Sequence, residues 1–139
     1  MSTRGSSRGR GSTEMDASRW VRAEHAGAVV VLAALVLTHW PDVAWPRFVL
    51  AFVTIDLVGY VPGALAFRRA RGGPIAPIYH HLYNLTHHYL VAAAAVTLWA
   101  FTGGGLEWAM LAVPIHLSGD RGLLGNVFKP SAAPFESRA

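Results

Sequence analysis

Residues 26–40 read AGAVVVLAALVLTHW and contain no Lys, Arg, Asp or Glu. Extended back to Trp20, this segment is long enough for a helix to cross the hydrocarbon core, which takes roughly 20 apolar residues. Three more apolar segments follow it. They run from about Trp45 to Phe67, Ala76 to Phe101, and Gly105 to Phe128. The last is long enough only if Asp120 and Arg121 lie inside the helix, toward one face.

The breaks between the segments carry turn chemistry. Trp40-Pro41-Asp42, Arg71-Gly72-Gly73-Pro74 and Thr102-Gly103-Gly104-Gly105 separate them. Glycine ends a helix through its backbone freedom and proline through its missing N–H. All three connections are short, so consecutive helices are expected antiparallel. The expected fold is all-α, a four-span transmembrane bundle with up-down topology.

Composition agrees. Of the 139 residues 53% are hydrophobic and only 14% charged, with a mean hydropathy of +0.33. A soluble domain carries about 25% charged residues. The net charge of +4 comes almost wholly from arginine. These arginines sit beside the apolar segments, which points to membrane topology rather than nucleic acid. The lack of cysteine excludes disulfides, thiolate metal sites and thiol nucleophiles.

Charge also orients the chain. Arg19 and Arg22 precede the first segment, Arg68, Arg69 and Arg71 fill the second connection, and Arg121, Lys129 and Arg138 accompany the end of the last. The first connection has only Arg47 against Asp42, and the third has only Glu107. Cationic loops stay cytoplasmic, so both termini are expected inside. Trp40, Trp45, Trp99 and Trp108 fall near the two outer connections, where indoles favour the interface. The expected location is the cell membrane and the expected surroundings are lipid. Residues 1–18 read as a disordered Ser/Gly/Arg tail, 19–129 as the membrane domain and 130–139 as a short C-terminal tail. The N-terminal tail lacks the apolar core and cleavage site of a signal peptide.

Ionisable residues interrupt the apolar helices. They are costly in hydrocarbon, so they face the bundle interior and find partners. At 1.5 Å per residue, Asp56 lies roughly 18 Å from the inner boundary, Asn84 and His87 roughly 15–20 Å, His116 roughly 20 Å and Asp120 roughly 14 Å. Side chains at one level on facing helices are how bundles build sites. His116 and Asp120 share a face at a spacing of four, and His80, Asn84 and either His87 or His88 share another. The candidate catalytic residues are Asp56, Asn84, His87, His116, Asp120 and Arg121. Arg121 is expected to orient Asp120 or an anionic headgroup. Taken singly, each polar residue is more often an interhelical hydrogen-bond partner than a ligand.

Three chemistries suit this set. Asp56, His87, His116 and Asp120 could hold a single transition metal ion, such as Zn, Fe, Mn or Cu. A metal-free acid–base site would pair Asp56 or Asp120 with a histidine. A proton or metal-ion path through the same residues is the third, and it would need an oligomer, because four helices enclose little volume. The string HHLYNLTHH (80–88) lacks the repeated HxxHH boxes of membrane desaturases. Pro62 and Pro114 are expected to kink helices two and four, the latter just before His116.

The strings DLVGY (56–60), YNLTH (83–87) and HLSGDRGLLGNVFK (116–129) together resemble a bacterial family of small membrane proteins, domain-of-unknown-function 4260. The resemblance covers about Arg19 to Lys129. It implies four membrane helices and motif positions at Asn84, His87, His116, Asp120 and Arg121, and it implies no chemistry. The tandem histidines depart from that pattern and leave open which member of each pair corresponds. The leading expectation is a membrane-embedded enzyme acting on a lipid-soluble substrate through a cavity open to the bilayer. The alternatives are a non-enzymatic membrane subunit with a structural polar network, or a conduit.

Overall fold

In the computed structural model the described residues are 8–126 and 128–136, with residues 8–16 described by their backbone alone. Among them all regular structure is helical. Helix α1 spans Arg8–Thr38, α2 Trp45–Gly59, α3 Val61–Arg69, α4 Pro77–Thr86, α5 Tyr89–Gly103 and α6 Ala112–Gly119. A 3₁₀ turn, Trp108–Leu111, leads into α6, and a π-helical turn, Asp120–Leu124, continues it.

Two stretches are helices long and apolar enough to cross a membrane: Ala17–Thr38, 22 residues, and Trp45–Arg69, 25 residues. The second joins α2 to α3 through Tyr60. Its N–H reaches the Asp56 carbonyl at 2.9 Å, and Ala64 N–H reaches the Tyr60 carbonyl at 2.9 Å. The irregularity lies just before Pro62, which cannot donate to the residue four back.

The third and fourth apolar segments differ from expectation. The third is two helices, α4 and α5, parted at His87-His88. No glycine or proline breaks it. The Thr86 hydroxyl bonds back to the Leu82 and Tyr83 carbonyls at 3.1 and 3.0 Å, and His87 Nδ1 meets the Tyr83 carbonyl at 2.9 Å. Side chains that take up backbone carbonyls in this way compete with the helix ladder. His88 then caps α5 by accepting the Leu90 N–H at 3.3 Å. In the fourth segment Pro114 occupies the first turn of α6, where no donor is needed, rather than kinking a longer helix.

Helix α1 is described from Arg8, so residues 8–18 of the expected N-terminal tail are helical, while the rest of that tail, 1–7, and the end of the C-terminal tail, 137–139, lie outside the described residues. Elongating a nucleated helix gains one hydrogen bond per residue fixed. At the other end, 129–136 is packed rather than free. Phe135 is 1% exposed and sits among Ala64, Phe67 and Tyr83.

Helix α1 lies against α6 and the π turn, while α2 lies against α4 and α6. The first and third connections meet at one end of the molecule. There Arg47 Nη1 pairs with Glu107 Oε2 at 3.0 Å, and the His39 and Trp108 rings stack at 3.7 Å. At the opposite end Arg22 Nη2 donates to the Leu123 carbonyl at 3.4 Å. The exterior carries exposed Val30, Leu50, Leu98 and Phe101, whereas the buried polar side chains are His80, His87, His116 and Ser118.

Candidate functional site

Three helical elements and the α4–α5 break bring Asp56, His87, His116 and Asp120 together. His87 Nε2 lies 3.1 Å from Asp120 Oδ2 and 3.4 Å from Asp56 Oδ1, and His116 Nε2 lies 3.6 Å from Asp56 Oδ1. Asp56 comes from α2, His87 from the first position after α4, His116 from α6, and Asp120 from the start of the π turn. The imidazoles are buried, with side chains 3% and 4% exposed. Asp120 is 13% exposed, and Asp56, at 45%, is the open side of the group.

The break at His87 sets its ring chemistry. A carbonyl only accepts, so the Nδ1 facing the Tyr83 carbonyl at 2.9 Å carries a proton. In the neutral ring Nε2 is then a bare lone pair. That atom is buried and meets no hydrogen-bond partner other than the two nearby carboxylates. Neither nitrogen of His116 has a hydrogen-bond partner. Its ring rests edge-on against Phe52 at 4.7 Å and 5.5 Å from the His87 ring. Asp120 is steadied by the Tyr83 hydroxyl, which donates to Oδ2 at 3.1 Å.

Both tandem pairs divide the same way. His80 and His87 point inward, and His81 and His88 are exposed. His80 packs edge-on against Phe135 at 5.3 Å, away from the carboxylates.

Two expected members of the site are used elsewhere. Asn84 spends its amide on the chain end, donating to the Lys129 carbonyl at 2.9 Å and accepting from the Lys129 N–H at 2.8 Å. It lies between His80 and His87 in sequence, but α4 ends at Thr86, so the helical face expected to join it to His87 is interrupted. Arg121 does not pair with Asp120. It donates to the His87 carbonyl at 3.2 Å and lies 4.4 Å over the Tyr89 ring. Its role is to brace the α4–α5 break.

Sequence reasoning passed over the wall of the site. Asp56 and Asp120 face a cleft of about 420 Å³ that Tyr60, Tyr83, Asn126, Lys129 and Glu136 also line. This cleft is polar and stands under the C-terminal strap, whereas a cavity open to hydrocarbon was expected. Apolar cavities of about 580 and 550 Å³ flank α5, and no cluster residue lines either one. Lys129 Nζ donates to the Phe135 carbonyl at 2.6 Å and sits 4.9 and 5.6 Å over the Tyr83 and Tyr60 rings. Burial pulls this ammonium below the usual lysine range, and Glu136 and Asp120 partly oppose that. The Tyr60 hydroxyl donates to Glu136 at 2.6 Å. The signal of this wall in the sequence is that Tyr60, Tyr83, Asn126 and Lys129 fall within the strings DLVGY, YNLTH and HLSGDRGLLGNVFK.

Among known proteins, no family model, no curated protein and no solved structure matches this chain. The chemistry of the site therefore rests on its own atoms.

Asp56, His87 and His116 each offer a donor atom, and these atoms lie within 4.8 Å of one another. The same atoms can pass a proton, with a carboxylate beside an imidazole whose far nitrogen is anchored. A second polar chain joins α1 to α6. The Tyr89 hydroxyl meets Ser118 Oγ at 2.9 Å and His25 Nδ1 at 3.3 Å.

Proposed function

We propose that this chain is a four-span integral membrane protein with both termini cytoplasmic, and that it is a membrane-embedded enzyme acting on an amphiphilic, lipid-soluble substrate. The observation that carries this reading is the inverted polarity of the molecule. Valine, leucine and phenylalanine cover the outside, while two buried imidazoles and Asp120 meet inside and Asp56 stands half-exposed at their open side. Water rewards the opposite arrangement, and a bilayer tolerates ionisable groups chiefly in a bundle interior. Grouping the connections by charge and the Arg47–Glu107 pair across the two weakly charged connections support four crossings. The motif HLSGDRGLLGNVFK supports kinship with domain-of-unknown-function 4260.

The cleft gives the substrate its amphiphilic character. Its polar wall suits a head carrying hydroxyl or carbonyl oxygen, and the apolar exterior suits a tail lying in lipid. Asp56, the exposed member of the cluster, would meet the reacting group. His87 and Asp120 would hold or move its proton.

The test is untargeted mass spectrometry of a membrane lipid extract incubated with the purified protein, with and without added Fe(II) or Zn(II). Wild type is expected to convert at least one amphiphile, and Asp56→Asn, folded by circular dichroism, to convert it at least 100-fold more slowly. A conversion equal in both proteins, or none in either, would overturn the enzyme reading.

A further inference from the structure

We infer that Asp56, His87 and His116 bind one divalent first-row transition-metal ion, with Asp120 beside it and an open coordination position toward the cleft. This deepens the preceding reading of the cluster, but its test does not use activity.

Spacing is the first argument. Donors about 2.1 Å from a common ion stand roughly 2.9–3.4 Å apart when they are neighbours in its coordination shell. Between the proposed ligands the carboxylate–imidazole separations are 3.4 and 3.6 Å, and all three donor atoms lie within 4.8 Å of one another, so the donors need draw in only slightly to share one ion. The three donors come from α2, the α4–α5 break and α6, so the fold holds them rather than one flexible loop.

Lone pairs are the second argument. In the neutral ring the Tyr83 carbonyl takes the Nδ1–H of His87 and Nε2 turns a lone pair toward two carboxylates, which themselves only accept. Lone pairs facing one another in this way repel. Either a proton on Nε2 or a metal cation at their centre converts the repulsion into bonds, and only the cation also engages His116. Metal-bound imidazoles characteristically donate their other N–H to a carbonyl or carboxylate, which is the arrangement His87 already has. His116 adds a buried ring with no hydrogen-bond partner at either nitrogen.

Charge is the third argument. Asp56 and Asp120 together carry two negative charges beside buried imidazoles. A divalent ion neutralises both in surroundings where net charge is costly.

The donor set also selects the ion. Two imidazoles with carboxylate oxygen and no thiolate suit Fe(II), Zn(II) or Mn(II), and two histidines with one carboxylate are the ligands of non-haem Fe(II) sites. Magnesium and calcium favour all-oxygen shells. Asp56 is the half-exposed ligand, so the vacant position would face the cleft and the substrate head.

The experiment is elemental analysis of the detergent-purified full chain after anaerobic loading with Fe(II), Zn(II) or Mn(II) and exhaustive dialysis. Wild type is expected to hold one ion per chain. Asp56→Asn and His116→Gln should each weaken retention at least tenfold while keeping wild-type helicity. The His81→Ala protein should retain the full ion, because that ring is exposed. Should one cluster variant fail to fold, the other decides. Less than half an ion per wild-type chain with all three metals would overturn the inference, as would equal loss from the exposed-histidine variant. Lipid conversion without bound metal would leave a proton-transfer enzyme and remove the metal. A bound ion without conversion would keep the metal site and remove the enzyme.

Discussion

Asn84 shows how one side chain can hold a site without entering it. Its amide pairs with both backbone groups of Lys129, so removing it leaves a donor and an acceptor unsatisfied. Each such bond contributes about 0.5–1.5 kcal/mol. Asn84→Ala is therefore expected to lower stability by about 1–3 kcal/mol and to release the 129–136 strap, read by thermal unfolding in detergent and by proteolysis within the strap. Phe135→Ala should cost about 3–5 kcal/mol, the range for emptying a buried phenylalanine site. Both changes free the same strap, so the double variant should cost clearly less than the two added together. Additive losses would mean that the strap is not one unit. At this scale much of the site was legible in sequence. Counting depth along each helix puts Asp56, His87, His116 and Asp120 at one level, and those four meet. Asn84 joins them in sequence only through the face of one continuous helix, which the break after Thr86 interrupts, and Arg121 only through its neighbour Asp120. The strap was invisible because PSAAPFES (130–137) has no periodicity, and its one anchor, Phe135, is a single aromatic residue.

Between elements, close approach is set by glycine. A Cβ on Gly59 of α2 would stand 2.0 Å from Thr86 Oγ1 and 3.3 Å from His87 Cε1. Gly59→Ala must push α4 away and carry His87 with it. Overpacking of this kind typically costs 1–3 kcal/mol, and the larger effect should be on the site, with metal retention falling at least tenfold. On Gly122 in the π turn, a Cβ would meet the Ala26 backbone nitrogen at 2.5 Å. Backbone cannot rotate aside, so Gly122→Ala should unseat α1 and lower the unfolding temperature. Gly27, also in α1, has nothing within 4 Å of its would-be Cβ. Gly27→Ala should raise stability by up to about 1 kcal/mol through helix propensity, and a loss there would mean that α1 packs against something further. The turns at Gly72 and Gly104 are legible from their glycine clusters, and both residues take positive φ, 79° and 88°, where glycine is favoured. The α4–α5 break was not, since it depends on Thr86 and His87 reaching back to carbonyls, a competition that hydropathy does not register.

For the molecule as a whole, the count of crossings is the open quantity with the sharpest test. Two helices are long enough alone, while α4 with α5 and the 3₁₀–α6–π run are interrupted. Interruption is tolerated in a bilayer where the freed backbone groups are satisfied inside the protein. The break at His87 meets that condition: its carbonyl accepts from Arg121 and its ring donates to the Tyr83 carbonyl. The chain has no cysteine, so single cysteines can be introduced without background. Asp42→Cys, Ala70→Cys, Leu106→Cys and Ala132→Cys sample the four ends, with Leu106 87% exposed. Four crossings with cytoplasmic termini predict that an impermeant thiol reagent outside intact cells labels positions 42 and 106, and that positions 70 and 132 react only in inverted vesicles. Two crossings, with the remainder lying on the inner face, predict the same result at 42, 70 and 132 but inner labelling at 106. Position 106 therefore decides. The Arg47–Glu107 pair ties that position to the first connection, so inner labelling there would also require this ion pair to be broken in the membrane. Arg47→Gln tests the link from the other side. With four crossings the labelling pattern should persist and stability should fall by no more than about 1 kcal/mol, the usual worth of an exposed pair.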